Sequence, residues 1–269
     1  MKIKRKGLSF VLIICIICNF LFAIIQTDIA FAEEESDTQS KVIKVACIGD
    51  SITAGHGLEK EEQKYPYLLG KKLGPGFVVE NYGADGRAVL KRSNAPYWKD
   101  PGFEMSKESL PDIVIIMLGT NDAKFQYWEE KSSQYVSDEE FLNDYKDLIN
   151  AYKELESHPE VYVCLPATVY NSDILGISSK YLQNNVIPLI RQAAEETNTK
   201  LIDVNSATAN MPENFPDLVH PNAAGAEVIA NTIYEYILND FIYSEAQDYI
   251  KNLQKILYPL YLLLDVLTK

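Results

Sequence analysis

Short apolar runs alternate with amphipathic segments along most of the chain. Five runs are rich in β-branched residues and mostly end at Gly, Pro, Asn or Asp, which is typical of buried strands. The predicted strands cover residues 42–48, 77–82, 113–118, 161–165 and 201–204. Apolar residues at helical spacing predict helices over residues 65–73, 138–155, 181–197 and 223–238.

Hydrophobicity within these strands is continuous rather than alternating, which favours a parallel sheet covered by helices on both faces. We therefore predict a three-layer α/β/α sandwich with a five-stranded parallel sheet in the order 2-1-3-4-5. Cys47 and Cys164 then lie on strands 1 and 4, with strand 3 between them. This separation predicts two buried free thiols rather than a disulfide.

The N-terminus has the pattern of an export signal. MKIKRKG carries four positive charges, an apolar run follows over residues 8–25, and Ala30-Phe31-Ala32 supplies a cleavage site. We predict a signal peptide over 1–32 and an acidic linker over 33–41; an uncleaved segment would instead anchor the protein in a membrane. In either case the protein is expected to be secreted or extracytoplasmic.

The charge of the mature chain limits its partners. Without residues 1–32 the chain keeps 21 basic and 37 acidic residues, a net charge of −16. Such a surface repels nucleic acid and anionic lipid headgroups. We therefore expect no nucleic-acid partner, and membrane contact only through the signal segment.

Polar loops follow four of the predicted strands, and the first three of them contain glycine. Because ligands bind at the carboxyl ends of strands in such sheets, these loops should converge on one site. They are Gly49-Asp50-Ser51, Asn81 to Gly86, Gly119-Thr120-Asn121-Asp122, and Asp217 to Asn222.

These loops contain the groups that nucleophilic catalysis needs. A serine hydroxyl becomes nucleophilic when an imidazole, itself oriented by a carboxylate, takes its proton, and Ser51, His220 and Asp217 suit these roles. The backbone amides of Ser51 and Gly83 and the side-chain amide of Asn121 are candidate oxyanion donors.

Three other polar residues near these loops have simpler interpretations. Asp50 and Asp122 are interpreted as hydrogen-bond acceptors that brace the loops. His56 is interpreted as a helix-face residue, with a position lining the cleft as the alternative.

Taken together and in order, the four loops resemble the sequence blocks of the SGNH (GDSL-type) hydrolase family over residues 42–238. Ser51, Gly83, Asn121 and His220 match its four namesake residues. The resemblance implies a flavodoxin-like sandwich, hydrolysis of esters, and no metal or other cofactor. The chain is also similar to bacterial members of this family that remove O-acetyl groups from carbohydrates.

Aromatic and basic residues near the site suggest a substrate. Arg87, Trp98 and Trp128 lie in loops at its edge, where indole rings suit stacking on a sugar; packing of the two loops together is the alternative for the tryptophans. The predicted substrate is therefore a short-chain, acetyl ester on a small molecule or glycan. The alternatives are a lysophospholipase or thioesterase-like acyl hydrolase and a non-catalytic carbohydrate-binding module.

Residues 42–239 form the predicted hydrolase domain, and residues 240–269 form an amphipathic helical extension. Its apolar residues recur at helical spacing, but the extension is too short to span a bilayer. Three interpretations stay open: a helix folded back on the body, a homodimer contact, and a membrane-surface helix.

Overall fold

A computed structural model of the protein describes residues 41–170 and 174–268. The predicted signal peptide and all but residue 41 of the acidic linker lie outside these residues. Within the described part, no helix is long and apolar enough to cross a membrane.

A parallel sheet forms the centre of the molecule, and its order β2-β1-β3-β4-β5 confirms the predicted topology. At the carboxyl edge, Gly49 of β1 pairs with Gly83 of β2 and Met117 of β3. The loops after these three strands therefore start side by side. The strands are β1 Ile43–Gly49, β2 Phe77–Gly83, β3 Ile113–Met117, β4 Glu160–Cys164 and β5 Lys200–Ile202.

Helices flank the sheet on both sides, as the continuous hydrophobicity of the strands predicts. The α-helices of the described residues are α1 Ser51–Ala54, α2 Tyr65–Leu73, α3 Pro101–Glu108, α4 Phe125–Trp128, α5 Asp138–Lys153, α6 Ser179–Tyr181, α7 Ile187–Glu196, α8 Val204–Ala207 and α9 Ala223–Thr268. The helix predicted over 181–197 is divided by a π-helical turn at Leu182–Val186. Pro188 explains this, because it has no N–H to donate to the preceding helical turn.

Two hydrophobic cores lie on opposite faces of the sheet. Ala46 and Ile48 of β1 enter the core formed with α5 and α7, whereas Val45 and Cys47 enter the core formed with α2 and the first part of α9. Every side chain of this stretch of β1 is therefore buried, which explains its unbroken apolar sequence.

The two cysteines of the described residues, Cys47 and Cys164, are buried and unpaired, as predicted. β3 separates their strands. Burial raises the pKa of the Cys47 thiol to about 12, and it raises the pKa of Cys164 further. Both thiols therefore behave as small apolar groups.

The last helix joins two segments that were predicted separately. The helix predicted over 223–238 and the helical extension predicted over 240–269 form one helix, α9, which continues through Pro259 to Thr268. Asp240 still accepts hydrogen bonds from Tyr162 and Lys200 of the body, whereas Tyr249, Tyr258 and Tyr261 are about two-thirds exposed. The interpretation of a helix folded back on the body is therefore wrong. The predicted homodimer contact through residues 240–269 stays a prediction.

Candidate active site

The turn after β1 holds Ser51 at the carboxyl edge of the sheet. Gly49 leaves no room for a side chain, since a Cβ atom would lie 1.9 Å from Oγ1 of Thr53. Asp50 caps α1 by accepting a hydrogen bond from the Ile52 N–H at 3.0 Å. Ser51 is the first residue of α1, so its N–H has no acceptor within that helix. A buried serine is thus presented with its backbone donor available.

The loop before α9 brings a histidine to this serine. Nε2 of His220 lies 2.8 Å from Oγ of Ser51, and Nδ1 lies 2.6 Å from Oδ2 of Asp217. The other Asp217 oxygen accepts hydrogen bonds from the N–H groups of Val219 and His220. Partial burial disfavours the charged carboxylate, but the ring and backbone donors outweigh it and hold the pKa of Asp217 below its usual range.

The charge on Asp217 defines the roles of the two ring nitrogens. An ionised carboxylate only accepts hydrogen bonds, so Nδ1 of His220 carries the hydrogen and Nε2 is free to accept from the Ser51 hydroxyl. Ser51 and His220 are both about 8% exposed. The three residues predicted as nucleophile, base and orienting acid are therefore brought into one hydrogen-bonded chain.

Asn121 lies beside this chain, as predicted. Its side-chain Nδ2 donates one hydrogen bond to the Arg87 carbonyl at 3.1 Å, which orients the amide and leaves its second hydrogen available. Asn121 also lines a cavity of about 290 Å³ together with Ser51 and His220.

Gly83 is not placed as predicted. Its N–H donates to Oδ1 of Asn81 at 2.9 Å, so it is not available to an oxyanion. A Cβ at this position would lie 2.3 Å from the Ala54 nitrogen, so Gly83 permits the close approach of β2 to α1. The expectation of an oxyanion donor at Gly83 is therefore contradicted.

Gly86 is the better candidate, and our sequence analysis missed it. It lines the Ser51 cavity, has φ of +73°, and its N–H has no acceptor among the described residues. The stretch Asn81 to Gly86 contains two glycines, and the strand continues to the first of them. The residue that faces the site therefore comes from the loop beyond.

Asp122 braces the loops, as interpreted from sequence. Its carboxylate accepts hydrogen bonds from the N–H groups of Val89 and Leu90 at 3.0 and 2.9 Å. Burial raises the pKa of Asp122 to about 7, and these two donors oppose that rise. Asp50 has the analogous role at α1, with its pKa raised to about 6 by burial.

The predicted sugar-binding residues do not line the Ser51 cavity. The indole N–H groups of Trp98 and Trp128 donate to the carbonyls of Val89 and Asp122, both at 2.7 Å, and both rings pack against the hydrophobic core. Nε of Arg87 pairs with Asp100 at 2.7 Å. The stacking prediction for Trp98 and Trp128 is therefore wrong, and all three side chains hold loops together.

Other residues line the cavity instead, namely His56, Asp85, Gly86, Lys124, Leu175 and Ile177. Gly86 and Asn121 also line a neighbouring cavity of about 700 Å³, and His56 and His220 line another of about 630 Å³. Each of these two cavities therefore shares lining residues with the Ser51 cavity. Within residues 41–170 and 174–268, no cluster of three or more His, Cys, Asp or Glu side chains is arranged to hold a metal ion.

Comparison with known proteins agrees with this geometry. An acetylxylan esterase from Xylanibacter ruminicola is 30% identical over 210 residues, which cover 71% of this chain and 42% of the relative. The chain thus spans less than half the length of that relative.

Solved structures share the fold. A carbohydrate acetylesterase from Sinorhizobium meliloti matches with a TM-score of 0.57 and 21% identity, over 73% of this chain and 99% of its own. An acetylxylan esterase from Geobacillus stearothermophilus matches with a TM-score of 0.54 and 22% identity, over 72% and 95%.

The model of the GDSL-like lipase/acylhydrolase family matches residues 47–228, which contain all four site loops. The chain therefore belongs to the GDSL-like lipase/acylhydrolase family of carboxylic ester hydrolases.

Proposed function

We propose that this protein is an exported serine esterase that removes acetyl groups from carbohydrate. The observation that carries the proposal is the hydrogen-bonded chain from Ser51 through His220 to Asp217 at the wall of a cavity. Connected in this order, with Ser51 and His220 buried, these groups match what acyl transfer to a serine requires.

The proposed reaction proceeds in two halves. His220 takes the proton of Ser51 as Oγ attacks the ester carbonyl, and the tetrahedral intermediate collapses as His220 gives that proton to the departing alcohol oxygen. Water then attacks the acyl-enzyme, again giving its proton to His220. Acetate leaves as the proton returns to Ser51, so the enzyme is regenerated.

The developing oxyanion would be stabilised by the amides of Ser51 and Gly86 and by Asn121. Each donor of this kind contributes on the order of 3 kcal/mol to lowering the barrier. Asp217 would keep the imidazole oriented and stabilise its protonated form.

A small acyl group on a polar alcohol suits the surroundings of Ser51. The cavity at Ser51 has a volume of about 290 Å³, and its apolar lining residues include Leu175 and Ile177. The neighbouring larger cavity is lined by polar side chains that include Asn94, Gln126 and Ser132. Two similar proteins are named as an acetylxylan esterase and a carbohydrate acetylesterase, and these names support the same substrate class.

The two alternatives are less well supported. A lysophospholipase or thioesterase needs an apolar channel for a long acyl chain, which the polar larger cavity does not offer. A non-catalytic carbohydrate-binding module would not need a buried Ser–His–Asp chain. Export rests on the charged and apolar pattern of residues 1–32.

Hydrolysis of aryl esters of increasing acyl length, from acetyl to octanoyl, tests the proposal. We expect kcat/KM to be highest for acetyl, and we expect acetate release from acetylated oligosaccharides. Ser51→Ala serves as the matched control for background hydrolysis. Preference for octanoyl would favour the lipase-like alternative, and no hydrolysis of any ester would contradict an esterase function.

A further inference from the structure

A second histidine approaches the catalytic one from the turn that ends α1. Gly55 and Gly57 adopt φ of +85° and +79°, conformations that favour glycine, and they flank His56. The His56 N–H donates to the Ser51 carbonyl at 2.8 Å. The backbone that carries Ser51 therefore also fixes the position of His56.

The His56 ring is oriented from two directions. Nδ1 lies 3.0 Å from Oδ2 of Asp85, and the ring centroid lies 4.4 Å from that of His220, with the ring planes tilted by 40°. The side chains of His56 and Asp85 are 51% and 61% exposed. Because a polar contact this exposed contributes little to folding, the fold does not depend on it.

Chemistry identifies which part of the substrate would contact His56. In ester hydrolysis, the imidazole that takes the serine proton returns it to the departing alcohol oxygen. The alcohol must therefore lie beside His220. His56 is on that side, since it lines both the Ser51 cavity and the cavity of about 630 Å³ that contains His220.

We infer that His56, oriented by Asp85, binds a free hydroxyl group on the alcohol portion of the ester and thereby selects polyol esters. The inference rests on the proposed esterase function. With Nδ1–H directed to Asp85, Nε2 is an acceptor for a substrate O–H, and it has no partner among the described residues. His56 is thus a specificity-determining residue that takes no part in proton transfer.

His56→Phe isolates this hydrogen bond, because phenylalanine keeps an aromatic ring against His220 but has no acceptor. Three substrates separate binding from chemistry: phenyl acetate, a monoacetylated methyl glycoside with a free neighbouring hydroxyl, and the same glycoside with that hydroxyl methylated. His158→Asn is the matched control, since His158 follows α5 before β4, at the other edge of the sheet, and its φ of +46° suits asparagine.

We expect His56→Phe to lower kcat/KM about tenfold on the hydroxyl-bearing glycoside, mainly through KM, as expected for one lost hydrogen bond. Activity on phenyl acetate and on the methylated glycoside should stay within about twofold of the parent, and His158→Asn should change nothing.

Equal losses on all three substrates would show that His56 acts by positioning His220, and no loss on any would show that it has no role; either result overturns the inference while the esterase function stands. Failure of the parent to cleave phenyl acetate would instead overturn the proposed function itself.

Discussion

Two histidine–aspartate pairs meet at one cleft, and they differ in depth and in what the second ring nitrogen contacts. His220 is buried, lies 2.6 Å from Asp217 and contacts the Ser51 hydroxyl. His56 is half exposed and lies 3.0 Å from Asp85, and its side chain makes no hydrogen bond to a serine in the described residues.

The difference suits the two pairs to different roles, and the proposed base belongs to the deeper one. Burial of the His220 ring strengthens the interaction of an imidazolium with Asp217, because the low local dielectric screens it less than water does. The backbone donors at residues 219 and 220 also hold Asp217 in its charged form. The Asp85 carboxylate faces solvent instead of backbone donors. The exposed His56–Asp85 pair is therefore suited to contact a ligand.

The largest loss of activity is expected on removal of the Ser51 hydroxyl, which the His220 ring contacts and the His56 ring does not. We expect Ser51→Ala to lower kcat on an aryl acetate by about 10⁶, since the change removes the proposed nucleophile. The melting temperature should stay close to that of the parent. Near-parental turnover in a folded variant would remove the basis for distinguishing the two pairs.

The two aspartates offer the most direct contrast between the pairs. Asp217→Asn should lower kcat by roughly 10⁴, because an amide cannot stabilise the imidazolium and favours the wrong tautomer of His220. Asp85→Asn, the matched change in the exposed pair, should stay within about threefold on phenyl acetate. Similar losses in both variants would mean that both pairs serve the chemistry.

Asn121→Ala tests the proposed oxyanion donor in the wall of the same cavity. We expect a loss of about 10² to 10³ in kcat with little change in KM, because the amide would bind the oxyanion rather than the ester. A comparable rise in KM at unchanged kcat would make Asn121 a ground-state contact. Gly83→Ala is not a useful partner, since its Cβ would collide with α1.

The pH dependence should follow the proposed base and its carboxylate. The lowered pKa keeps Asp217 ionised above about pH 4, and an imidazole accepts a proton only in its neutral form. Turnover of phenyl acetate should therefore be lost in acid and should not change on addition of EDTA.

Asp217 also links folding to pH. Its lowered pKa contributes folding stability that is present above about pH 4 and is lost as pH falls through the pKa of the folded state. Because this contribution is intact at pH 5, turnover that is lost at pH 5 should be fully regained at pH 8. An irreversible loss at pH 5, or a need for added metal, would contradict the assignment of the base.

Sequence predicted one pair and missed the other for a physical reason. Asp217 and His220 share one short loop, so their contact follows from spacing. His56 and Asp85 are 29 residues apart and meet only because β1 and β2 end together and a glycine turn reverses the chain. Loop contacts of this kind depend on backbone geometry that composition does not encode.

The same limit explains the other differences. The sheet order follows from alternating elements and short connections, so it was predictable. Trp98 and Trp128 were placed correctly between β2 and the long helix α5, but position along the chain does not determine whether a side chain points inward. Likewise β2 was predicted to end before Gly83, but it includes Gly83. The loop that reaches the cavity therefore begins later, and Gly86 rather than Gly83 is the candidate oxyanion donor.

Covalent labelling with an organophosphate that reacts with activated serines, followed by peptide mass mapping, tests directly whether Ser51 is the nucleophile. We predict one adduct, on the peptide containing Ser51, formed in step with loss of esterase activity and absent from Ser51→Ala. Full labelling at another serine, or loss of activity without an adduct on Ser51, would contradict it.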